Sequence, residues 1–125
     1  MTISEMVKKA HDNAVNHGFW ENPPEFGTAV ALVHSELSEA LEEMRAGNRI
    51  RPGEPVPMVY YSGEGYVASE PTECCKKPEG VAVELADAVI RIADLCGFMG
   101  IDLEAAIVEK MAYNETRPYK HGKKF

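Results

Sequence analysis

Two stretches of the sequence carry pairs of acidic residues spaced three positions apart, close to one helical turn. Glu36 and Glu39 form the first pair, and Glu84 and Asp87 form the second. Residues three apart on a helix share one face, so each pair can direct its oxygens to one point. Two such helices packed together would gather four carboxylates, which repel each other unless a cation is bound among them. The spacing therefore predicts a cation site.

Oxygen ligands alone are typical of sites for hard divalent ions, so the predicted ion is Mg²⁺, or Mn²⁺, rather than zinc or copper. Mg²⁺ commonly completes its ligand shell with water and with phosphate oxygens of a substrate. The pattern therefore favours a site for a metal-bound polyphosphate over a structural ion. In that chemistry the reacting group is a metal-bound water, positioned by Glu36 and Glu39, and the metal polarises a phosphoryl oxygen.

Apolar residues at three- and four-residue steps predict four helices, at about residues 4–17, 25–45, 79–98 and 102–114. The second helix has an apolar stripe that should face the core and consists of Phe26, Val30, Val33, Leu37, Leu41 and Met44. Glu36 lies at the border of this stripe, which predicts its partial burial. The expected fold is an all-α bundle of four to five helices.

The third helix is apolar nearly all round, which is typical of a helix that is buried nearly all round. Its charged residues are confined to one strip and are Glu84, Asp87, Arg91 and Asp94. Buried charges are rare unless they are paired or bound to a metal. A salt bridge from Arg91 to Asp87 or Asp94 is the simpler alternative, but one arginine cannot neutralise carboxylates from two helices.

Residues 48–79 interrupt the helical pattern with many prolines and glycines and form a predicted insert between helices two and three. Within the insert, residues 56–61 and 66–69 flank Ser62-Gly63-Glu64-Gly65, which predicts a short β-hairpin. An isolated hairpin is marginally stable, so it should pack on the helices or on another subunit. The sequence is compatible both with a lid or dimer element and with an inert surface loop.

Two further features concern a substrate. Trp20, the only tryptophan, stands shortly before two prolines and is either a hydrophobic plug over a helix end or a platform for a nucleotide base. The C-terminal region is basic, with Lys110, Arg117, Lys120, Lys123 and Lys124 against Glu115. This region is either a solvated tail or a source of charge for binding phosphates.

The composition limits the class of protein. The 125 residues suit one domain spanning residues 1–125, and a net charge of -7 argues against binding to nucleic acid. No signal-peptide core or membrane span is recognisable, so a soluble cytoplasmic protein without membrane contact is expected. The three cysteines, two of them adjacent, predict reduced thiols rather than disulfides or a zinc site.

The order of the acidic motifs resembles that of a known superfamily. Glu36-x-x-Glu39 followed by Glu84-x-x-Asp87 is similar to the metal-binding signature of the MazG-like all-α nucleoside triphosphate pyrophosphatases. The resemblance implies that these four residues bind the metal. It also implies a bundle of the MazG-like type, here with a hairpin insert between helices two and three.

A downstream run carries the second half of the resemblance. The segments KMAYNETRP, at residues 110–118, and HGK, at residues 121–123, are similar to the phosphate-binding run of the superfamily. The resemblance covers residues 26–46 and 79–124. It implies phosphate or nucleotide contacts by Lys110, Asn114, Arg117 and Lys123.

The implied reaction is Mg²⁺-dependent hydrolysis of a ribo- or deoxyribonucleoside triphosphate to the monophosphate and pyrophosphate. Members of the superfamily build their sites from helices of several copies, so a homo-oligomer, a dimer or tetramer, is expected. Phosphoribosyl-ATP pyrophosphatase shares this architecture and is an alternative activity. The rival from another class is a non-catalytic helical module that binds ions or assembles with a partner. The basic run favours an enzyme, because a scaffold has no need of Lys110, Asn114 and Arg117 at consecutive helical steps.

Overall fold

The computed structural model describes residues 1–62 and 77–124, and within these residues the protein is mostly helical. The elements follow in the order α1 (Ile3–Asn16), α2 (Phe26–Ile50), β1 (Tyr60–Ser62), β2 (Lys77–Glu79), α3 (Val81–Met99), α4 (Leu103–Glu115) and a 3-10 helix (Tyr119–Gly122). The predicted all-α class is confirmed, and the type of bundle stays a prediction. None of the described helices has the length and apolar character that a membrane span requires.

The chain forms two compact units. The terminal unit consists of Met1–Pro23 and Ala93–Phe125, and the central unit of Pro24–Ile92. The terminal unit contains α1, α4 and the end of α3, whereas the central unit contains α2, both strands and the beginning of α3. A single domain over residues 1–125 stays a prediction.

Helix α1 begins with a capping box, which the Thr-x-x-Glu spacing at its start favours. Thr2 Oγ1 accepts a hydrogen bond from the Glu5 N–H (3.0 Å), and the Glu5 carboxylate accepts one from the Thr2 N–H (2.9 Å). Glu104, in the first turn of α4, accepts a hydrogen bond from the Ile3 N–H (3.0 Å). These bonds satisfy amides that the first turn leaves free and hold α1 to α4 within the terminal unit.

Helix α2 is longer than predicted, because Gly47 does not end it. The helical pattern predicts an end near Arg45, with Gly47-Asn48 as a breaker, whereas the helix continues to Ile50. A Cβ at Gly47 would lie only 2.7 Å from Val56 Cγ1, so the missing side chain allows the returning chain to pack against the helix. Glycine serves a close approach at this position rather than a helix stop.

The described residues of the insert contain an antiparallel strand pair. β1 pairs with β2 in the register Tyr60↔Glu79, Tyr61↔Pro78 and Ser62↔Lys77. The predicted partner at residues 66–69 lies outside the described residues, and Ser62, predicted as a turn residue, ends β1. Nothing in Lys-Pro-Glu predicts β2, because it lacks β-branched and aromatic residues and contains proline.

Gly80 joins β2 to α3 in a conformation that excludes a side chain. Its φ is 115°, and a Cβ would lie 2.5 Å from the Met58 carbonyl oxygen. The same carbonyl oxygen accepts a hydrogen bond of 3.0 Å from the N–H of Ala82, in the first turn of α3. Backbone contacts to Met58 therefore fix the beginning of the helix that carries Glu84.

Small residues are buried, whereas several large apolar residues that the periodicity assigns to the core are exposed. The buried apolar side chains among the described residues are Ala14, Ala40, Ala88, Ala93 and Cys96. On α2, Leu37 is 45% and Leu41 51% exposed, and on α3 Leu85 and Val89 are each 46% exposed. The prediction that the α2 stripe faces the core and that α3 is buried nearly all round is therefore wrong for a single chain.

Candidate functional site

Three glutamates from two helices meet in the central unit. Glu36 and Glu39 lie one turn apart on α2, and Glu84 lies in the first turn of α3. One carboxylate oxygen of each lies within 4.8 Å of the others, and we call these three residues the glutamate cluster. Glu36 is buried, Glu84 is half-buried and Glu39 is exposed. The cluster is thus partly open to solvent.

Asp87, the fourth predicted metal ligand, lies one turn beyond Glu84 and is not a member of the glutamate cluster. The pKa of its carboxyl group is nevertheless affected by charges in and around the cluster. Burial and the charge of Glu36 raise the pKa of Asp87, while Arg91 and Lys77 lower it by less. The structure therefore brings three of the four predicted ligands together, with Asp87 in electrostatic contact with them.

Arg91 is bonded to the glutamate cluster from α3. Its Nε donates a hydrogen bond of 2.6 Å to Glu36 Oε1, which makes an ion pair between α3 and α2. The simpler alternative from the sequence pairs Arg91 with Asp87 or Asp94 along its own helix. The structure instead pairs it across the two helices, with the most buried carboxylate of the cluster.

Burial and neighbouring side chains give Glu36 and Glu84 different pKa values. Burial and the neighbouring carboxylates of Glu39, Asp87 and Glu36 raise the pKa of Glu84 to about 7. Burial also raises the pKa of Glu36, but hydrogen bonds, foremost that from Arg91, outweigh it and hold this pKa below its ordinary value. At neutral pH the cluster therefore contains an ionised Glu36 next to a partly protonated Glu84.

This donor set fits a hard divalent cation. Its three carboxylate oxygens lie close enough to act as ligands of one ion, and Mg²⁺ and Mn²⁺ prefer oxygen ligands. Burial and the neighbouring carboxylates raise the pKa of Glu84 even though Arg91 is bonded to Glu36. A divalent ion would supply the charge that is still missing.

The predicted phosphate ligands lie in the terminal unit, on α4 and just after it. Lys110 Nζ lies 4.8 Å and Arg117 Cζ 5.8 Å from the centroid of the Tyr113 ring. Steps of three and four residues along the chain bring both cations over this ring, where cation–π attraction holds them. Tyr113 was not among the predicted site residues, although an aromatic residue between two cations at these steps is a recognisable signal.

Asn114 and Lys123 complete the predicted set. The Oδ1 of Asn114 is buried and has no hydrogen-bond partner among the described residues. A buried polar atom without a partner is uncommon in folded proteins, which makes this amide a candidate for contact with a ligand or water. Lys123 is exposed and follows the 3-10 helix, in which Lys120 and His121 have left-handed backbone conformations.

The Trp20 ring is held by the protein on one face. It stacks on Phe98, with 4.1 Å between the centroids and 10° between the planes, and its Nε1 donates a hydrogen bond of 2.7 Å to Asp94 Oδ1. These contacts agree with the interpretation of Trp20 as a hydrophobic plug. Because Phe98 occupies one indole face, a base could stack only on the other.

His11 is a further residue of this aromatic group. Its Nδ1 lies 2.9 Å from Asp94 Oδ1, and its ring meets that of Trp20 edge to face. A Cβ at Gly97 would lie 2.5 Å from His11 Cβ, so the glycine permits the close approach of α1 to α3. No spacing rule relates residues 11 and 94, so the sequence alone does not indicate that His11 belongs to this group.

Comparisons of the chain with protein-family models, with curated proteins and with solved structures found no match. The resemblance carried by the motifs therefore stays a prediction.

The raised pKa of Glu84 predicts that the metal-free protein loses stability as the pH rises. The pKa of Glu84 is raised from 4.5 to about 7 on folding, so the folded state holds a proton that the unfolded chain has lost between these values. This contribution is fully present below pH 4.5 and is lost as the pH passes about 7. Glu84→Gln stays neutral, so in chelator it should gain up to about 3 kcal/mol over wild type by pH 8.

Thermal denaturation at a series of pH values measures this gain. Asp87 has a raised pKa and adds to the effect, whereas the lowered pKa of Glu36 acts in the opposite direction but at lower pH. Glu42→Gln, which removes an exposed carboxylate of α2 that pairs with Arg45, is the control and should follow the wild-type profile. Parallel profiles for wild type and Glu84→Gln would contradict the prediction.

Proposed function

We propose that this protein is a Mg²⁺-dependent nucleotide pyrophosphohydrolase that cleaves a nucleoside triphosphate to the monophosphate and pyrophosphate. The observation that carries the proposal is the glutamate cluster, with three carboxylate oxygens within 4.8 Å on two helices. Keeping these charges together costs stability, as the raised pKa of Glu84 indicates. Such a cost is typical of sites that bind a cation or perform acid-base chemistry. The order of the motifs, which resembles the MazG-like pyrophosphatases, supports the same activity.

Glu36, Glu39 and Glu84 would hold the ion, with Asp87 next to them. When bound, a divalent ion of this kind polarises phosphoryl oxygens and lowers the pKa of water. Glu36 is already ionised, because Arg91 and its other hydrogen bonds hold its pKa low. Glu84 is not fully ionised near neutral pH, so cation binding there must displace a proton from its carboxyl group.

Lys110, Asn114, Arg117 and Lys123 would contact the phosphates or the nucleotide. A protein with a net charge of -7 needs local positive charge to bind a polyphosphate, and this part of the chain supplies it. Tyr113 keeps Lys110 and Arg117 close to one ring and so limits the side-chain entropy that phosphate binding would cost. The amide oxygen of Asn114, which lacks a hydrogen-bond partner within residues 1–62 and 77–124, marks a further polar group in this region.

A non-catalytic helical module that binds ions or assembles with a partner is the alternative from another class. The glutamate cluster by itself is compatible with that function. The two cations at the Tyr113 ring, one on α4 and one just after it, favour the enzyme, because they provide for an anion that an ion-binding scaffold does not require. Phosphoribosyl-ATP hydrolysis is an alternative activity of the same chemical class.

Release of pyrophosphate tests the proposal. We expect turnover with Mg²⁺ on at least one member of a panel of ribo- and deoxyribonucleoside triphosphates and phosphoribosyl-ATP. Glu36→Gln should lower kcat on the order of 100-fold or more, since it removes an ionised ligand of the ion. Asp87→Asn should lower activity less, because Asp87 lies outside the glutamate cluster.

Glu42→Gln is the matched control on the same helix and should retain activity within about twofold, because exposed ion pairs contribute little. No turnover on the whole panel, together with Mg²⁺-induced stabilisation of the fold, would favour the non-catalytic module. Full activity of Glu36→Gln would contradict the assignment of the metal ligands.

We infer that the protein forms a homo-oligomer, a dimer or tetramer, through the apolar faces of α2 and α3. Leu37 and Leu41 on α2 lie one turn apart, as do Leu85 and Val89 on α3, and each is about half exposed in the single chain. Soluble monomers rarely leave such rows of large apolar side chains in water. A second copy presents the same surface, so an isologous interface would cover both rows.

Light scattering on a sizing column measures the oligomeric state. Wild type should elute as a dimer or larger species, with a melting temperature that rises with protein concentration. Leu41→Glu should shift the protein to a monomer, because a charge would be buried in the interface. Val15→Glu changes an apolar residue of similar exposure on α1 and should leave the oligomer intact. A monomeric wild type would exclude this assembly.

We propose that a nucleotide base stacks on the face of Trp20 opposite Phe98. As Trp20 is the only tryptophan, the tryptophan fluorescence of the protein reports on the environment of this residue alone. A non-hydrolysable nucleoside triphosphate should therefore change the emission, whereas inorganic tripolyphosphate, which has no base, should not. An equal response to both ligands, or none to a nucleotide whose binding is measured by calorimetry, would leave Trp20 as a hydrophobic plug.

A further inference from the structure

The contact between Arg91 and the glutamate cluster is not symmetric. The side chain of Glu36 is 9% exposed, while that of Arg91 is 43% exposed. The pair is joined through one nitrogen, Nε, at 2.6 Å from Glu36 Oε1. The carboxylate is therefore fixed in the protein interior, whereas part of the guanidinium reaches solvent on a long and flexible side chain.

Arg91 lies where it competes with a divalent ion. The carboxylate oxygens of Glu36 are among those that the cluster offers to a cation, and Arg91 already donates to one of them. Two positive charges within a few ångströms of one carboxylate repel each other. An ion bound there would be held by several carboxylate oxygens, whereas Arg91 is joined to Glu36 through its Nε alone and can rotate away.

We propose that Arg91 is a displaceable counter-ion, which pairs with Glu36 in the metal-free protein and transfers to a phosphate of the substrate when a divalent ion binds the glutamate cluster. This inference rests on the function proposed above, because it assigns an exchange of partners to the same site. Breaking the bond to Glu36 does not leave a buried unpaired charge on Arg91, because its side chain is already partly exposed to solvent.

The transfer is an exchange of ion pairs in which no covalent bond changes. Without metal, Arg91 offsets the charge of a carboxylate that would otherwise be buried without a partner. A bound divalent ion would compensate the charge of Glu36 in place of Arg91. The guanidinium could then form charge-assisted hydrogen bonds to phosphate oxygens. The metal and the substrate then support each other's binding through one side chain.

The first part of the proposal, displacement of Arg91 by the ion, is tested by titrating the protein with Mn²⁺ in the absence of nucleotide. The electron paramagnetic resonance signal measures the free Mn²⁺ at each point. Arg91→Gln should bind Mn²⁺ roughly tenfold more tightly than wild type, because the competing charge is gone. In chelator the variant should melt at a lower temperature, and Mn²⁺ should raise its melting temperature more than that of wild type. Arg45→Gln, which removes an exposed arginine of α2, controls for net charge and should change the affinity by less than about twofold.

Binding of a non-hydrolysable nucleoside triphosphate with saturating Mn²⁺ tests the second half. Arg91→Gln should weaken this binding roughly tenfold, although it strengthens the binding of the metal alone. These opposite changes separate an exchanging arginine from one that only supports the fold. Unchanged or weaker Mn²⁺ binding by Arg91→Gln would overturn the displacement, and unchanged nucleotide binding would overturn the transfer to phosphate.

A measurement on the wild-type protein covers the case in which Arg91→Gln does not fold. The side-chain Nε–H signal of Arg91, assigned by its loss in Arg91→Lys, should shift when Mg²⁺ is added and shift again with the nucleotide analogue. A signal that stays in place would overturn the proposal.

If wild type binds no divalent ion, the proposed function and this inference both fail. If wild type binds Mn²⁺ and releases pyrophosphate while Arg91→Gln keeps the wild-type Mn²⁺ affinity, only the inference fails.

Discussion

Repulsion between the carboxylates of Glu36, Glu39 and Glu84 is the constraint on which the central unit depends. The turn of α2 places Glu36 and Glu39 on one face, and the fixed beginning of α3 brings Glu84 close to them. Arg91 offsets part of their charge through its hydrogen bond to Glu36. The positive end of the α3 dipole also favours a negative charge at Glu84, yet burial and crowding still raise its pKa. The fold thus keeps a cluster that a purely structural protein would gain stability by losing.

The parts of the site that follow from local periodicity could be predicted from the sequence. The helices and the joint orientation of Glu36 and Glu39 depend on spacing within one helix, which the regular helical repeat determines. The contacts that could not be predicted join distant segments. Arg91 could reach carboxylates on its own helix as well as on α2, and sequence alone does not specify which partner the packing brings closer.

The difference between spacing within a helix and contacts between distant segments also explains the wrong predictions for the end of α2 and for the burial of its apolar stripe. Glycine both breaks helices and permits close approach, so the sequence is compatible with either role for Gly47. The position of Val56 against Gly47 shows that close approach is the role it has. Apolar periodicity reports which face of a helix avoids water, but it does not say whether the same chain or another copy covers that face. The stripe on α2 is real, and in the single chain Leu37 and Leu41 remain half exposed. A core and an interface leave the same pattern in the sequence.

The junction at Gly80 has a consequence for how the site tolerates change. The Met58 carbonyl caps the beginning of α3, and the missing side chain at Gly80 makes room for it. The position of the third carboxylate is therefore encoded in main-chain atoms, which almost every residue type supplies equally at position 58. Substitutions along the loop before β1 can vary the surface around the site and still leave Glu84 in place. A substitution at Gly80 itself would move the helix, and with it the geometry on which the cluster depends.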